Sequence, residues 1–319
     1  MEFVRDSQLL YKLLLVDGIG RSGKVMVSQI LTGFDSVEKQ EYNEFIEYIS
    51  LAYKYKKISQ DMAQSILKTQ MDAELYNIMI GRNINSRFTD YTSIQKFHSQ
   101  EKYINRQSLS DGPVVAKRTK AEKPVYLNWC HDLIYKSELV FKTFEDKLNL
   151  IYINRNPIDI IFEWDKKNFG ERISNDPTDL TYLVKYNGSI VPETAIGWEK
   201  EYIDSKPLER IIKMIYTSMK RNLEIIAKSQ ENKNLLIFNF EDIVTDPKNF
   251  IKFISNYLEL DTLPIMNNIL TEEKCPRKLH PEESDLRRIN IVNNLSETFY
   301  RYVVQLEKMY LEISSFSKI

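Results

Sequence analysis

Arg21 and Lys24 stand in the run Gly18-Ile19-Gly20-Arg21-Ser22-Gly23-Lys24, which mixes three glycines with two cations. Such a mixture suits the binding of a phosphate-like anion. Glycine lets the backbone approach a ligand closely and adopt positive φ. The free N–H groups of a following helix, with its dipole behind them, then point at the anion. What must position these residues is legible on both sides. Leu13 to Val16 form an unbroken apolar run, and Val25, Met26, Ile30 and Leu31 follow at helical spacing. A buried strand, a tight turn and a helix start are the predicted frame.

The run satisfies the first seven positions of a Walker A loop. The eighth should be a Ser or Thr whose hydroxyl holds magnesium, and here it is Val25. A nucleoside triphosphate bound with its metal would therefore lose one ligand.

The whole chain narrows the setting. Its 319 residues are ample for one large α/β domain, and 43% hydrophobic with 28% charged residues is an ordinary globular balance. With 44 basic against 45 acidic side chains, nothing draws the chain as a whole to nucleic acid or to an anionic membrane. Any anion site must be local. The opening MEFVRDSQLL carries no signal-peptide pattern. No apolar run approaches the roughly 20 residues of a membrane span, so a cytoplasmic location is expected. Cys130 and Cys275 are expected to be reduced and buried, and three histidines (His98, His131, His280) without a paired-cysteine motif argue against a zinc site.

Along the chain, residues 38–82 read as predominantly helical, ending at Gly81. Their tyrosines (Tyr42, Tyr48, Tyr53, Tyr55) suit packing against a sheet better than the lining of an acceptor pocket. Residues 89–112 read as loop-rich. Val114 to Ala116 read as a short strand with Lys117, Arg118, Lys120 and Lys123 at its exit. Leu148 to Ile153 form the next strand, leading to Arg155 and to Asn156 as the N-cap of a helix with Pro157 in its first turn. Residues 165–192 are irregular and polar, an insertion placed to act as a lid. A long helix over 208–227, a strand over 235–238, a helix capped by Asp246-Pro247 and a final helix over 296–311 complete the order. The alternation predicts an α/β fold, a mostly parallel central sheet flanked by helices, in one domain spanning 1–319.

Four separated stretches resemble the sulfotransferase family. Arg21-Ser22-Gly23 is similar to the loop that gathers the 5′ end of 3′-phosphoadenosine 5′-phosphosulfate without a metal, although the family continues with Thr-Thr where this chain has Lys24-Val25. Arg155-Asn156-Pro157-Ile158-Asp159 resembles the motif for the 3′-phosphate. Phe238 to Leu260 resembles the family's strand–Glu-Asp–Asp-Pro–helix segment. Arg277-Lys278-Leu279-His280-Pro281 is similar to the basic loop that closes over the donor. The loop alone fits a kinase equally well, but a kinase leaves the other three stretches unexplained.

The resemblance implies a P-loop-related fold and a transferase that moves a sulfuryl group to a hydroxyl or amine of a small-molecule or carbohydrate acceptor. Gly18, Gly20, Arg21, Ser22, Gly23, Lys24 and Val25 would cradle the 5′ end, with Arg21 and Lys24 stabilising charge during transfer. Arg155, Arg277 and Lys278 would take the 3′-phosphate. For the base, Glu41 falls where relatives acting on tyrosine carry a Glu, when the chains are aligned without gaps from the loop; His131 is a further candidate. Glu163 is a departure, because the family places a Ser there to bind the 3′-phosphate. Three outcomes are open for it: a shifted register, a pairing with a neighbouring cation, or a changed donor. The alternatives are a kinase using magnesium with ATP or GTP, and a non-catalytic nucleotide-binding relative.

Overall fold

Leu13 to Val16 form the centre of β1 (Lys12–Asp17), buried from Leu13 onward. A strand hidden on both faces needs a neighbour at each edge. β1 pairs in parallel with β3 (Val125–Trp129) on one side and β4 (Leu148–Asn154) on the other. The two-residue β2 (Glu41–Tyr42) joins β3, and β7 (Leu235–Asn239) joins β4, also in parallel. The computed structural model describes residues 1–319 and gives the sheet the order β2-β3-β1-β4-β7. The α/β expectation holds, with every strand of the main sheet parallel.

Alternation of side chains feeds two cores. Leu14 and Val16 of β1 join Ile151, Ile153 and Phe238 beneath the helices Lys24–Leu31 and Pro247–Leu258. Leu13 and Leu15 join Leu150, Tyr152 and Ile237 on the opposite face. There they meet the helices Gln60–Met79, Pro157–Lys166, Pro207–Lys228 and Glu297–Ser314. Each fully buried Leu or Ile contributes roughly 1.5–3 kcal/mol relative to exposure. The central strands are therefore the most firmly held part of the chain. Cys130 and Cys275 are both free and buried.

Four segments differ from expectation. Val114 to Ala116 lie in a helix, Pro113–Glu122, not in a strand. Pro113 starts it at the first turn, where a missing N–H costs nothing, and Val115 is buried while Val114 is exposed, as on a helix surface. Its cations therefore do not stand at a strand exit; Arg118 donates to the carbonyls of Met79 and Ser110. The strand comes later, at β3, where fully buried Asn128 interrupts the apolar run. Residues 38–42 are not helical but run to the short strand β2. Buried Glu38 is gripped there by Arg106, which lies on a helix (Gln100–Arg106) within the supposedly loop-rich stretch. Residues 165–192 are more ordered than their polarity suggests. They hold a short helix, Phe169–Arg172, and an antiparallel hairpin of β5 (Leu183–Tyr186) and β6 (Ser189–Pro192). Asn187 and Gly188 turn that hairpin, both at positive φ.

Because all five strands run the same way, their carboxyl ends share one edge. Residues 18–23 after β1, 130–132 after β3, 155–156 after β4 and 240–241 after β7 gather there. That edge is where open parallel sheets bind ligands.

Candidate active site

The loop after β1 is built around two close approaches. A side chain at Gly18 would strike the Ser22 hydroxyl at 2.4 Å and the Ile153 carbonyl at 2.8 Å. Gly23 has φ +96°, and a Cβ there would meet the Phe240 ring at 2.3 Å. Gly23 is also the N-cap of the helix Lys24–Leu31 and offers no side chain to its first turn. The N–H groups of that turn have no intrahelical acceptor. The Ser22 hydroxyl is buried beside them without a partner. Lys24 folds back, its Nζ donating to the carbonyls of Gly18 (2.8 Å) and Ile19 (3.3 Å). Burial lowers its pKa, opposed by the nearby Asp17 and Glu47 carboxylates.

The segment after β4 clamps this loop from outside. Asn156 caps the helix Pro157–Lys166, as expected, by accepting from the Ile158 N–H at 2.9 Å. Arg155 Nη1 donates to the Arg21 carbonyl at 2.6 Å. Trp164 Nε1 donates to the Gly20 carbonyl at 2.8 Å. Glu163 accepts from Arg21 through Nη2 at 2.6 Å and Nε at 3.2 Å. Burial raises the Glu163 pKa, but the Arg21 hydrogen bond and charge outweigh it and hold the carboxyl below its ordinary value. Of the three outcomes open for Glu163, the pairing with a neighbouring cation is the one observed.

Beside the loop lies a cavity of about 490 Å³. Its aromatic wall includes Tyr42, Tyr48, Tyr135, Trp164, Phe169 and Tyr182. Tyr42 and Tyr48 thus line this cavity rather than only packing against the sheet, while Tyr53 packs against the larger core. Residues 169–182 of the expected lid supply one side of the wall.

Glu47 and His131 face the cavity together. The His131 N–H donates to Glu47 Oε1 at 2.7 Å, and the ring Nδ1 lies 3.9 Å from the same oxygen. Burial raises the Glu47 pKa to about 7, against the lowering effect of Lys136. Burial, then the charges of Lys24 and Lys136, hold the His131 imidazole well below its ordinary value, so it is neutral at neutral pH. Glu41 is elsewhere. It lies in β2, ion-paired with Lys39, and is not part of the cavity wall. Residues 32–44 run through turns and a strand rather than a continuous helix, which carries Glu41 to the sheet edge.

Comparison with known proteins adds the decisive observation: residues 14–275 match the model of the sulfotransferase domain. The chain belongs to the sulfotransferase family. It is accordingly a transferase. No curated protein matches it in sequence. Among solved structures, the sulfotransferase domain of the Synechococcus PCC 7002 olefin synthase aligns over 98% of this chain and 98% of its own, at 13% identity and TM-score 0.49. The sulfotransferase domain from the curacin biosynthetic pathway aligns over 82% of this chain and 77% of its own, at 13% identity and TM-score 0.45. A sulfotransferase from Alicyclobacillus acidocaldarius aligns over 93% and 95%, at 12% identity and TM-score 0.41.

In this sulfotransferase the remaining basic residues fall around Phe240. The Arg155 guanidinium lies 4.6 Å from that ring centroid and the Arg277 guanidinium 5.9 Å. Phe240 in turn packs on Gly23, so the two arginines and the loop share one support. Arg155 Nε is buried without a partner. Arg277 is tied down by donating to the carbonyls of Lys274 and Glu273, whereas Lys278 is exposed. Val25 is half-buried in the helix and brings no hydroxyl. Trp164 and Phe240 were not singled out from sequence as site residues; the signal for Trp164 was its place beside Glu163. No helix of the chain is long and apolar enough to cross a membrane.

Proposed function

We propose that this sulfotransferase moves a sulfuryl group from 3′-phosphoadenosine 5′-phosphosulfate to a hydroxyl of a small acceptor with a flat, apolar body. The observation that carries the reading is one junction. A glycine-rich loop with an unpartnered Ser22 hydroxyl meets, across Trp164, an aromatic cavity whose wall holds the His131–Glu47 pair. The orphaned Ser22 hydroxyl and Arg155 Nε, and the glycines that admit no Cβ, fit an anionic donor. Gly20 to Val25 would bind its 5′ end, with Arg155 and Arg277 on Phe240 taking the 3′-phosphate.

The acceptor oxygen would attack sulfur as the bond from sulfur to the 5′-phosphate oxygen breaks, releasing adenosine 3′,5′-bisphosphate. Its proton passes to neutral His131, and the Glu47 carboxylate supplies counter-charge to the imidazolium. Arg21, Lys24 and the loop N–H groups stabilise charge on the departing oxygen. Glu47, rather than Glu41, is the carboxylate suited to this chemistry.

Calorimetric titration with adenosine 3′,5′-bisphosphate, ADP and ATP tests the donor. Binding of the bisphosphate without magnesium is expected, weakened about tenfold or more in Arg155→Ala by the loss of a charge-assisted contact. Preference for ATP with magnesium would instead select the kinase alternative. The pH profile tests the pair. Glu47 must be ionised to support the imidazolium, so kcat/KM should rise with pH through about 7. In Glu47→Gln that limb should vanish and the plateau should fall; an unchanged limb would take Glu47 out of the reaction.

A further inference from the structure

Of the two loop cations, Arg21 is the one hydrogen-bonded to a carboxylate of the chain. Both its Nε and Nη2 donate to a single oxygen, Glu163 Oε2. Lys24, by contrast, donates to loop carbonyls. Residues on either side of this contact fix its geometry. Arg155 holds the Arg21 carbonyl, and Trp164, next to Glu163, holds the Gly20 carbonyl with its ring 3.3 Å from where a Gly20 Cβ would stand. Arg21 itself sits at φ +71°, a left-handed conformation uncommon for a non-glycine residue, which this double clamp maintains. The Arg21 side chain is nearly half exposed and Glu163 about a quarter exposed. The pair can therefore open without uncovering the core.

We propose that Glu163 is an internal competitor for the donor: its carboxylate occupies the Arg21 guanidinium that an incoming anion must recruit. The inference rests on the reading of residues 18–24 as the donor loop. An anion entering the loop must displace this carboxylate from the Nε–Nη2 edge of Arg21 or make do with the N–H donors left over. Glu163 thereby sets donor affinity and favours release of the bisphosphate product, since it recaptures Arg21 as the product leaves. Its depressed pKa keeps it ionised, and so competing, throughout the neutral range.

The test is a double-mutant cycle read by calorimetry, with two probes: inorganic pyrophosphate, which carries no nucleoside, and adenosine 3′,5′-bisphosphate. Glu163→Gln keeps shape and removes charge, and should tighten both probes by about three- to tenfold, the range for a partly exposed ion pair. In an Arg21→Ala background the same substitution should lose most of its effect. Steady-state kinetics of Glu163→Gln should show a lower donor KM together with stronger product inhibition, which a purely structural residue would not produce. Unchanged or weaker anion binding by Glu163→Gln, in protein that melts as the parent does, would overturn the proposal. Full retention of the gain without Arg21 would also overturn it, by reducing Glu163 to general repulsion. Pyrophosphate behaving as expected while the bisphosphate fails to bind would sink the nucleotide donor and leave Glu163 as the competitor for whichever anion the loop takes.

Discussion

Replacing His131 with asparagine is expected to lower kcat by about 10²–10⁴-fold, the usual worth of a positioned proton acceptor, with the affinity for adenosine 3′,5′-bisphosphate unchanged. The backbone N–H of His131, not its ring, makes the 2.7 Å bond to Glu47, so the substitution leaves the cavity wall pinned. Proton acceptance is thereby separated from architecture. Rates with an aryl alcohol acceptor, measured beside a calorimetric titration of the bisphosphate, check both halves. A variant retaining most of its kcat would transfer the role to Glu47 acting directly.

Gly23→Ala is expected to abolish donor binding and to destabilise the protein. Two faults coincide at this residue. Its φ of +96° is strained for any residue with a Cβ, and that Cβ would lie 2.3 Å from the Phe240 ring. Phe240 cannot yield freely, because it carries the Arg155 guanidinium on its face and is itself buried. Relief would therefore displace both the loop and the cation beside it. Overpacking of this kind costs about 1–3 kcal/mol, visible in a denaturant titration. The functional loss should be larger than the loss of stability, since the N–H groups that would hold the anion start at this residue. Wild-type affinity in Gly23→Ala would remove the loop from the donor site.

The parts of the site that were legible in sequence are those whose chemistry is local. Gly18, Gly20 and Gly23 announced the loop because their spacing reflects backbone constraints within one turn. Asn156-Pro157 announced a helix start for the same reason, and the cap is present. Val114 to Ala116 misled because three apolar residues do not distinguish a strand from one buried face of a helix; Gly112-Pro113 was the better guide to a helix start. β3 was hidden by Asn128, a polar residue buried in a central strand. Glu47 was illegible for a different reason. Its significance arises from a contact with His131, far along the chain, and from a cavity that neither residue defines alone. Glu163 lay between these cases. Its conflict with a phosphate site was evident from charge, but its resolution by Arg21 required the two segments to be brought together.

The central position of β1 also bears on how the protein is made. β1 leaves the ribosome before either strand it pairs with, Val125–Trp129 and Leu148–Asn154, and β4 is covered at its other edge only by Leu235–Asn239. The last helix then ties back to β4, with Asn154 Nδ2 donating to the Tyr310 carbonyl and the Ser314 hydroxyl. Parallel pairings between distant segments form slowly and leave apolar strand edges open in the meantime. The glycine-rich loop is thus synthesised before every strand other than β1 that supports it and is among the last parts to gain its full support. Nascent chains halted before β7 are expected to depend on chaperones and to bind no donor.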